Sequence, residues 1–206
     1  MNPRDSAALL LSADIKARSW TKRYDALNEI GELLAETGRV PSAVVAAMGD
    51  RSPLVRIAAV EASATIQDRR VLPRLRKLLN DPSGLVRAHA AVAISSFGIV
   101  ADKVRLERAM GRERSVRVKV GYAEALTMLG KDGAIETIIG ALRSRSYRVR
   151  CAAANVLARV RMPPRYRRAV RGALETALAS EDTVAARSSL STALRRFRRR
   201  GAPVTR

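Results

Sequence analysis

The strongest constraint in this 206-residue chain is a repeat. Basic residues at Arg23, Arg56, Arg87, Lys119, Arg150 and Arg187 recur at spacings of 33, 31, 32, 31 and 37. Four residues before each stands a hydroxyl: Ser19, Ser52, Ser83, Ser115, Ser146 and Thr183. Three residues after come Ala26, Ala59, Ala90, Tyr122, Ala153 and Leu190. Seven after come Ile30, Ser63, Ile94, Leu126, Leu157 and Leu194, and ten after come Leu33, Ile66, Phe97, Leu129, Val160 and Phe197. Offsets of 3, 7 and 10 fall on one face of an α-helix. Ser and Thr just before such a stripe are helix N-caps, whose side-chain oxygen is expected to accept an orphan backbone N–H.

Six further amphipathic segments lie between these helices, at roughly 3–17, 40–49, 70–80, 100–111, 132–143 and 164–179. Pro53 follows the Ser52 cap, where a missing N–H costs least. Gly98 and Gly130 follow a last core residue, as helix-stopping glycines do. No stretch shows convincing β-alternation. The unit is a helical hairpin used six times, so the fold expected is all-α. Repeat boundaries are expected near 1–36, 37–68, 69–99, 100–131, 132–162 and 163–200 of a single domain over 1–206, with 201–206 as a tail.

The segments "GDRSPLVRIAAVEA", "NDPSGLVRAHAAVA" and "RSRSYRVRCAAANV" resemble HEAT repeats, especially the short bacterial type of phycobilin-lyase-like HEAT proteins. That resemblance implies a right-handed α-solenoid, an α-α superhelix of six HEAT-like hairpins. It also implies a ladder between stacked repeats, built from an acid six residues before the basic anchor: Asp50 before Arg56, Asp81 before Arg87, Glu113 before Lys119 and Glu181 before Arg187. Ser144 before Arg150 and Ala17 before Arg23 depart from the pattern. Arg150 is nonetheless expected to be a structural rung.

Composition narrows the chemistry. Hydrophobic residues make up 47% but aromatics only 3%. A core of Ala, Val, Leu and Ile suits close helix packing rather than a base-stacking sheet module. One cysteine, Cys151, excludes an intramolecular disulfide and fits a reducing, cytoplasmic setting. The N-terminal "AALLLSA" is too short to span a membrane, so no membrane insertion is expected. His89 is the only histidine, which makes a zinc site or a histidine-based triad unsupported. No GxxxxGK[ST] or GxGxxG segment occurs. A non-catalytic protein is therefore expected, with no cofactor, no metal and no small-molecule substrate. HEAT-like DNA glycosylases are the enzymatic precedent. They imply groove aromatics, for which Trp20 and Tyr122 are the only candidates here.

The net charge of +20 is uneven: residues 1–100 carry +4 and residues 101–206 carry +16. A basic half fits an acidic partner. Arginine outnumbers lysine 33 to 6, so a GC-rich coding bias accounts for the charge equally well. Six arginines match no core or rung position and fall on two successive hairpin turns: Arg112, Arg114 and Arg117, then Arg143, Arg145 and Arg148. A second cluster, Arg165, Arg167, Arg168 and Arg171, sits on the sixth hairpin, and "RRFRRRGAPVTR" ends the chain. The helix stripe expected to line a concave groove, at offsets 2, 5 and 9, is small and neutral or mildly acidic until the last two repeats. The function expected is a scaffold binding a protein partner through the groove or the basic edge. DNA or RNA backbone binding is the alternative, and a glycosylase-like or lyase-like enzyme is weaker still.

Overall fold

The computed structural model describes residues 11–35 and 37–199. The start of the first hairpin and the end of the basic tail lie outside the described residues. Every element described is helical. After the helical residues 11–14 (α1) come α2 (Trp20–Leu33), α3 (Ser42–Ala47), α4 (Pro53–Ile66), α5 (Leu72–Leu78), α6 (Gly84–Ser96) and α7 (Asp102–Arg112). They continue with α8 (Val116–Met128), α9 (Ala134–Ala141), α10 (Tyr147–Arg159), α11 (Arg167–Ala179) and α12 (Val184–Arg199). Short 3-10 turns, Arg69–Val71 and Pro164–Tyr166, lead into α5 and α11. The chain forms two compact units, Met1–Asp102 and Lys103–Arg206.

Each even-numbered helix begins three residues before a basic anchor, so the repeat sets the helix starts. Within the first unit α4 packs against α2 and α6; within the second, α10 packs against α8 and α12. The odd-numbered helices close the hairpins on them. Ala26, Ala59, Ala90 and Ala153 are buried, as are Tyr122 and Leu190 at the same offset. Ile30, Ile66, Ile94 and Leu157 complete the stripe beneath. Each such aliphatic contributes about 1.5–3 kcal/mol when fully buried. Small residues set the helix spacing: a Cβ on Gly31 of α2 would stand 3.0 Å from Ala62 Cα on α4.

The hydroxyl residues occupy the N-cap positions but do not cap with their side chains. Ser19, Ser52, Ser83, Ser115 and Ser146 have extended backbone and make no side-chain cap hydrogen bond. The oxygen offered is the main-chain carbonyl, which accepts the anchor N–H, for example Arg56 N to Ser52 O at 3.1 Å and Lys119 N to Ser115 O at 2.9 Å. The orphan N–H of the cap residue itself goes to the acid two residues earlier: Ser52 N to Asp50 Oδ1 and Ser83 N to Asp81 Oδ1, both 2.8 Å. Ser115 N to Glu113 Oε1 and Thr183 N to Glu181 Oε1, both 2.9 Å, repeat the arrangement. These bonds are charge-assisted and so stronger than bonds between neutral groups.

Helix ends follow the turn chemistry. Gly98 and Gly130 adopt φ of +67° and +75° after α6 and α8. Gln67 takes the same left-handed role after α4, at φ 63°, and its amide donates to Ala64 O and to Ser96 Oγ.

Candidate functional site

The repeated acid serves two neighbours at once. Besides the cap N–H of its own repeat, the acid at Asp50, Asp81 and Glu181 receives the anchor arginine of the preceding repeat. Arg23 donates to Asp50 through Nε (2.8 Å) and Nη2 (3.0 Å). Arg56 does the same to Asp81 at 2.9 and 2.7 Å, and Arg150 to Glu181 at 2.6 and 2.6 Å. Nη1 of each arginine turns back onto its own repeat, to Ala17 O, Asp50 O and Ser144 O respectively. The fork geometry of guanidinium makes this three-way joint possible. Arg56 therefore pairs with Asp81, not with the Asp50 six residues before it, which gives it only a backbone carbonyl.

Arg87 Nη1 donates to Asp81 O at 2.7 Å, and Arg187 Nη2 donates to Glu181 O. The absence of an acid before Arg23 and Arg150 does not disable them, because their carboxylates lie in the following repeat. The electrostatics match the geometry. The Arg150 hydrogen bond holds the Glu181 carboxyl down at about 2. For Asp50, burial pushes the carboxyl up, but Arg23 and the Ser52 N–H lower it overall.

One joint lacks its acid. Lys119 and Ser144 occupy the positions of Arg56 and Asp81, 25 residues apart in both cases. Lys119 is half-buried and has no ion pair among the described residues. Ser144 Oγ accepts the Ser146 N–H at 3.3 Å, against 2.8 Å where Asp50 and Asp81 accept. On the turns leading into α8 and α10 stand Arg112, Arg114, Arg117, Arg143, Arg145 and Arg148, all exposed. None of the six has an acidic partner among the described residues. Arg148 instead donates to Tyr147 Oη at 3.3 Å, with its guanidinium 5.8 Å from the ring centroid.

The sixth-hairpin cluster is less available. Arg165 pairs with Asp132 and lies over the Tyr166 ring, and Arg167 is half-buried over Phe197 at 5.4 Å. Arg168 and Arg171 are exposed.

The even-helix stripe holds two closed pairs that link neighbouring repeats. His89 Nδ1 lies 2.8 Å from Glu61 Oε1. Glu124, buried, accepts both Nε and Nη2 of Arg159. A further set of acids heads the odd helices. Asp68 accepts the Arg70 side chain and the Val40 N–H, and Arg70 holds its carboxyl well below the usual carboxylate range. Asp102 takes both arms of Arg76 at 2.9 and 2.8 Å. These acids also recur, at 68, 102 and 132, a signal missed by aligning the repeats on the even helices alone.

Cys151 is half-buried with no disulfide. Among the described residues no group of three or more His, Cys, Asp or Glu is placed to hold a metal. No helix among them is long and apolar enough to cross a membrane.

Comparison with curated proteins finds no match. In fold the chain is similar to the complex of CpcE and CpcF of phycocyanin lyase from Nostoc sp. PCC7120, at TM-score 0.56 and 22% identity over 96% of this chain and 89% of that one. Human deoxyhypusine hydroxylase in complex with glycerol gives TM-score 0.42 at 18% identity, over 93% and 84% of the two chains. An engineered protein gives 0.44 at 18%, over 97% and 98%. The HEAT repeats family model matches residues 7–95 and 40–119, together just over half of the chain. With its register, its hairpins and its Arg–carboxylate joints, this chain belongs to the HEAT-repeat family.

Proposed function

We propose that the chain is a non-catalytic interaction scaffold that engages an acidic protein partner through the basic edge of its second unit. The observation that carries this reading is the set of six exposed arginines on two successive hairpin turns, none with an acidic partner among the described residues. Elsewhere arginines at repeat joints are consumed by carboxylates. The even-helix stripe is the weaker surface for a charged partner, because Glu61 and Glu124 are already paired to His89 and Arg159. Stacked repeats suit the role, since they build extended surface without a dedicated pocket. Uncompensated surface charge steers association and selects partners of opposite sign.

The test is binding of labelled poly-L-glutamate, measured by anisotropy for the parent and for Arg143→Glu/Arg145→Glu. The double reversal is expected to weaken binding by at least about tenfold, with an unchanged melt because both side chains are exposed. Unaltered affinity would remove the edge from the account. Tighter binding to a charge-matched DNA duplex, with a steep fall of log K against log salt, would favour a nucleic-acid backbone instead.

A further inference from the structure

The edge carries more than charge. The first residue of each even helix in the second unit is apolar and exposed: Val116 at 47%, Tyr147 at 39% and Val184 at 83%. These are equivalent positions on α8, α10 and α12, and α10 packs against both of the others. Packed helices lie roughly 8–10 Å apart, so the three side chains form a row with about that step. Arg117 and Arg148 follow the first two directly in sequence, and Arg114 and Arg145 precede them by two residues. Between the first two members lies the joint without an acid, Lys119 facing the register position of Ser144. A cavity of about 300 Å³ lined by Arg143, Ser144, Arg150, Glu181, Asp182 and Thr183 opens at the neighbouring Arg150–Glu181 joint.

A purely electrostatic partner has no use for exposed Val116, Tyr147 and Val184. A partner that covers them must bring apolar side chains at the same step. A polyproline-II chain has three residues per turn and rises about 3.1 Å per residue, so every third side chain returns to the same side about 9 Å further on.

We infer that this edge takes an acidic segment of a protein partner in polyproline-II conformation, with apolar side chains at every third residue against Val116, Tyr147 and Val184 and one carboxylate seated between Lys119 and the α9–α10 turn. That carboxylate supplies in trans the acid that Ser144 does not. The arginines pair with the intervening acids. A nucleic-acid strand would satisfy the arginines but leave the apolar row uncovered. The inference rests on the basic-edge reading and specifies its ligand.

The experiment uses two labelled peptides of roughly 15 residues, long enough to span three repeats at the polyproline-II rise of about 3.1 Å per residue. Both consist of Glu and Leu in identical proportion. One has Leu at every third position and the other has its Leu clustered at one end. The parent is expected to bind the periodic peptide about tenfold more tightly. Ser144→Asp fills the joint from within. It is expected to weaken the periodic peptide by about tenfold while melting at or above the parent temperature. Ser42→Asp, an equal charge change on an exposed residue of α3, is expected to shift affinity by less than about twofold. Equal affinity for the two peptides would overturn the apolar register. A Ser144→Asp effect no larger than that of Ser42→Asp would overturn the carboxylate seat. In either case the basic edge itself stands if Arg143→Glu/Arg145→Glu still weakens poly-L-glutamate, and falls with the inference if it does not.

Discussion

Arg56 with Asp81, and Lys119 with Ser144, hold the same two register positions 25 residues apart. In the first unit the result is a buried bidentate ion pair. In the second unit a half-buried lysine shares its register with a serine in place of the acid, and the two flanking turns carry six exposed arginines with no acidic partner among the described residues. The repeat thus does two different things with one piece of geometry. Where the acid is present, cationic charge becomes internal structure, and the same carboxylate caps the next helix. Where it is absent, the cations stay available at the surface and the local helix start is held by a weaker hydroxyl bond. The asymmetry of charge between the halves of the chain has a structural counterpart at this joint.

The largest expected effect separates the two joints directly. Asp81→Ala leaves Arg56 buried without its carboxylate and the Ser83 N–H without its acceptor, and should cost about 3–5 kcal/mol. Lys119→Ala removes no ion pair and should stay within about 0.5 kcal/mol. Urea denaturation of both variants measures the difference. Equal losses would mean the open joint is closed in solution.

The stack beneath both joints should respond alike. Ala90 and Ala153 sit at the same offset with no exposed surface. Enlarging either to Leu should overpack the helix contact and cost about 1–3 kcal/mol. A much smaller loss for Ala153→Leu would show that the second unit is loosely packed, and that its open joint reflects loose packing rather than a missing acid.

Acid titration isolates one closed joint. Glu181 is lowered from its ordinary 4.5 to about 2, chiefly by Arg150. Its folded pKa lies below the unfolded one, so the unfolded chain binds more protons in that interval. The Glu181 contribution is present above about pH 4.5 and is lost as pH falls toward about 2. Glu181→Gln should lower stability at neutral pH and flatten the profile in that window. A parallel profile for the variant would mean the Arg150 pair contributes nothing.

The smallest effect concerns the hydroxyl caps. Ser52→Ala and Ser146→Ala each delete a side chain that makes no cap bond. Each should cost only a few tenths of a kcal/mol, against about 1 for a working Ser cap. Thermal melts resolve the two cases.

These differences also define what the primary structure could reveal. The six even helices were legible because Ser/Thr, the anchor and the apolar stripe share one helical period, and local period is a local property. The role of the hydroxyls was not: an N-cap preference does not say whether the side chain makes its bond, and here Asp50, Asp81, Glu113 and Glu181 instead accept the N-cap residue's own N–H. The forward reach of Arg56 to Asp81 depends on how repeats stack, which spacing within one repeat does not encode. The exposed arginines of the two turns were legible as residues outside every core offset. Glu124 with Arg159, 35 residues apart, was visible only as two members of a stripe. The open joint was visible as Ser144 departing from the pattern, but its consequence for Lys119 emerged only once Arg150 was seen to pair with Glu181.

The central claim is that the Lys119–Ser144 joint is open for want of one carboxylate. A double-mutant cycle on stability tests it most directly, with Ser144→Asp, Lys119→Met and their combination. The account predicts that Ser144→Asp stabilises the parent, that the gain shrinks in the Lys119→Met background, and that the coupling is about 0.5 kcal/mol or more. Zero coupling, with Asp at 144 no better beside Lys119 than beside Met, would contradict it.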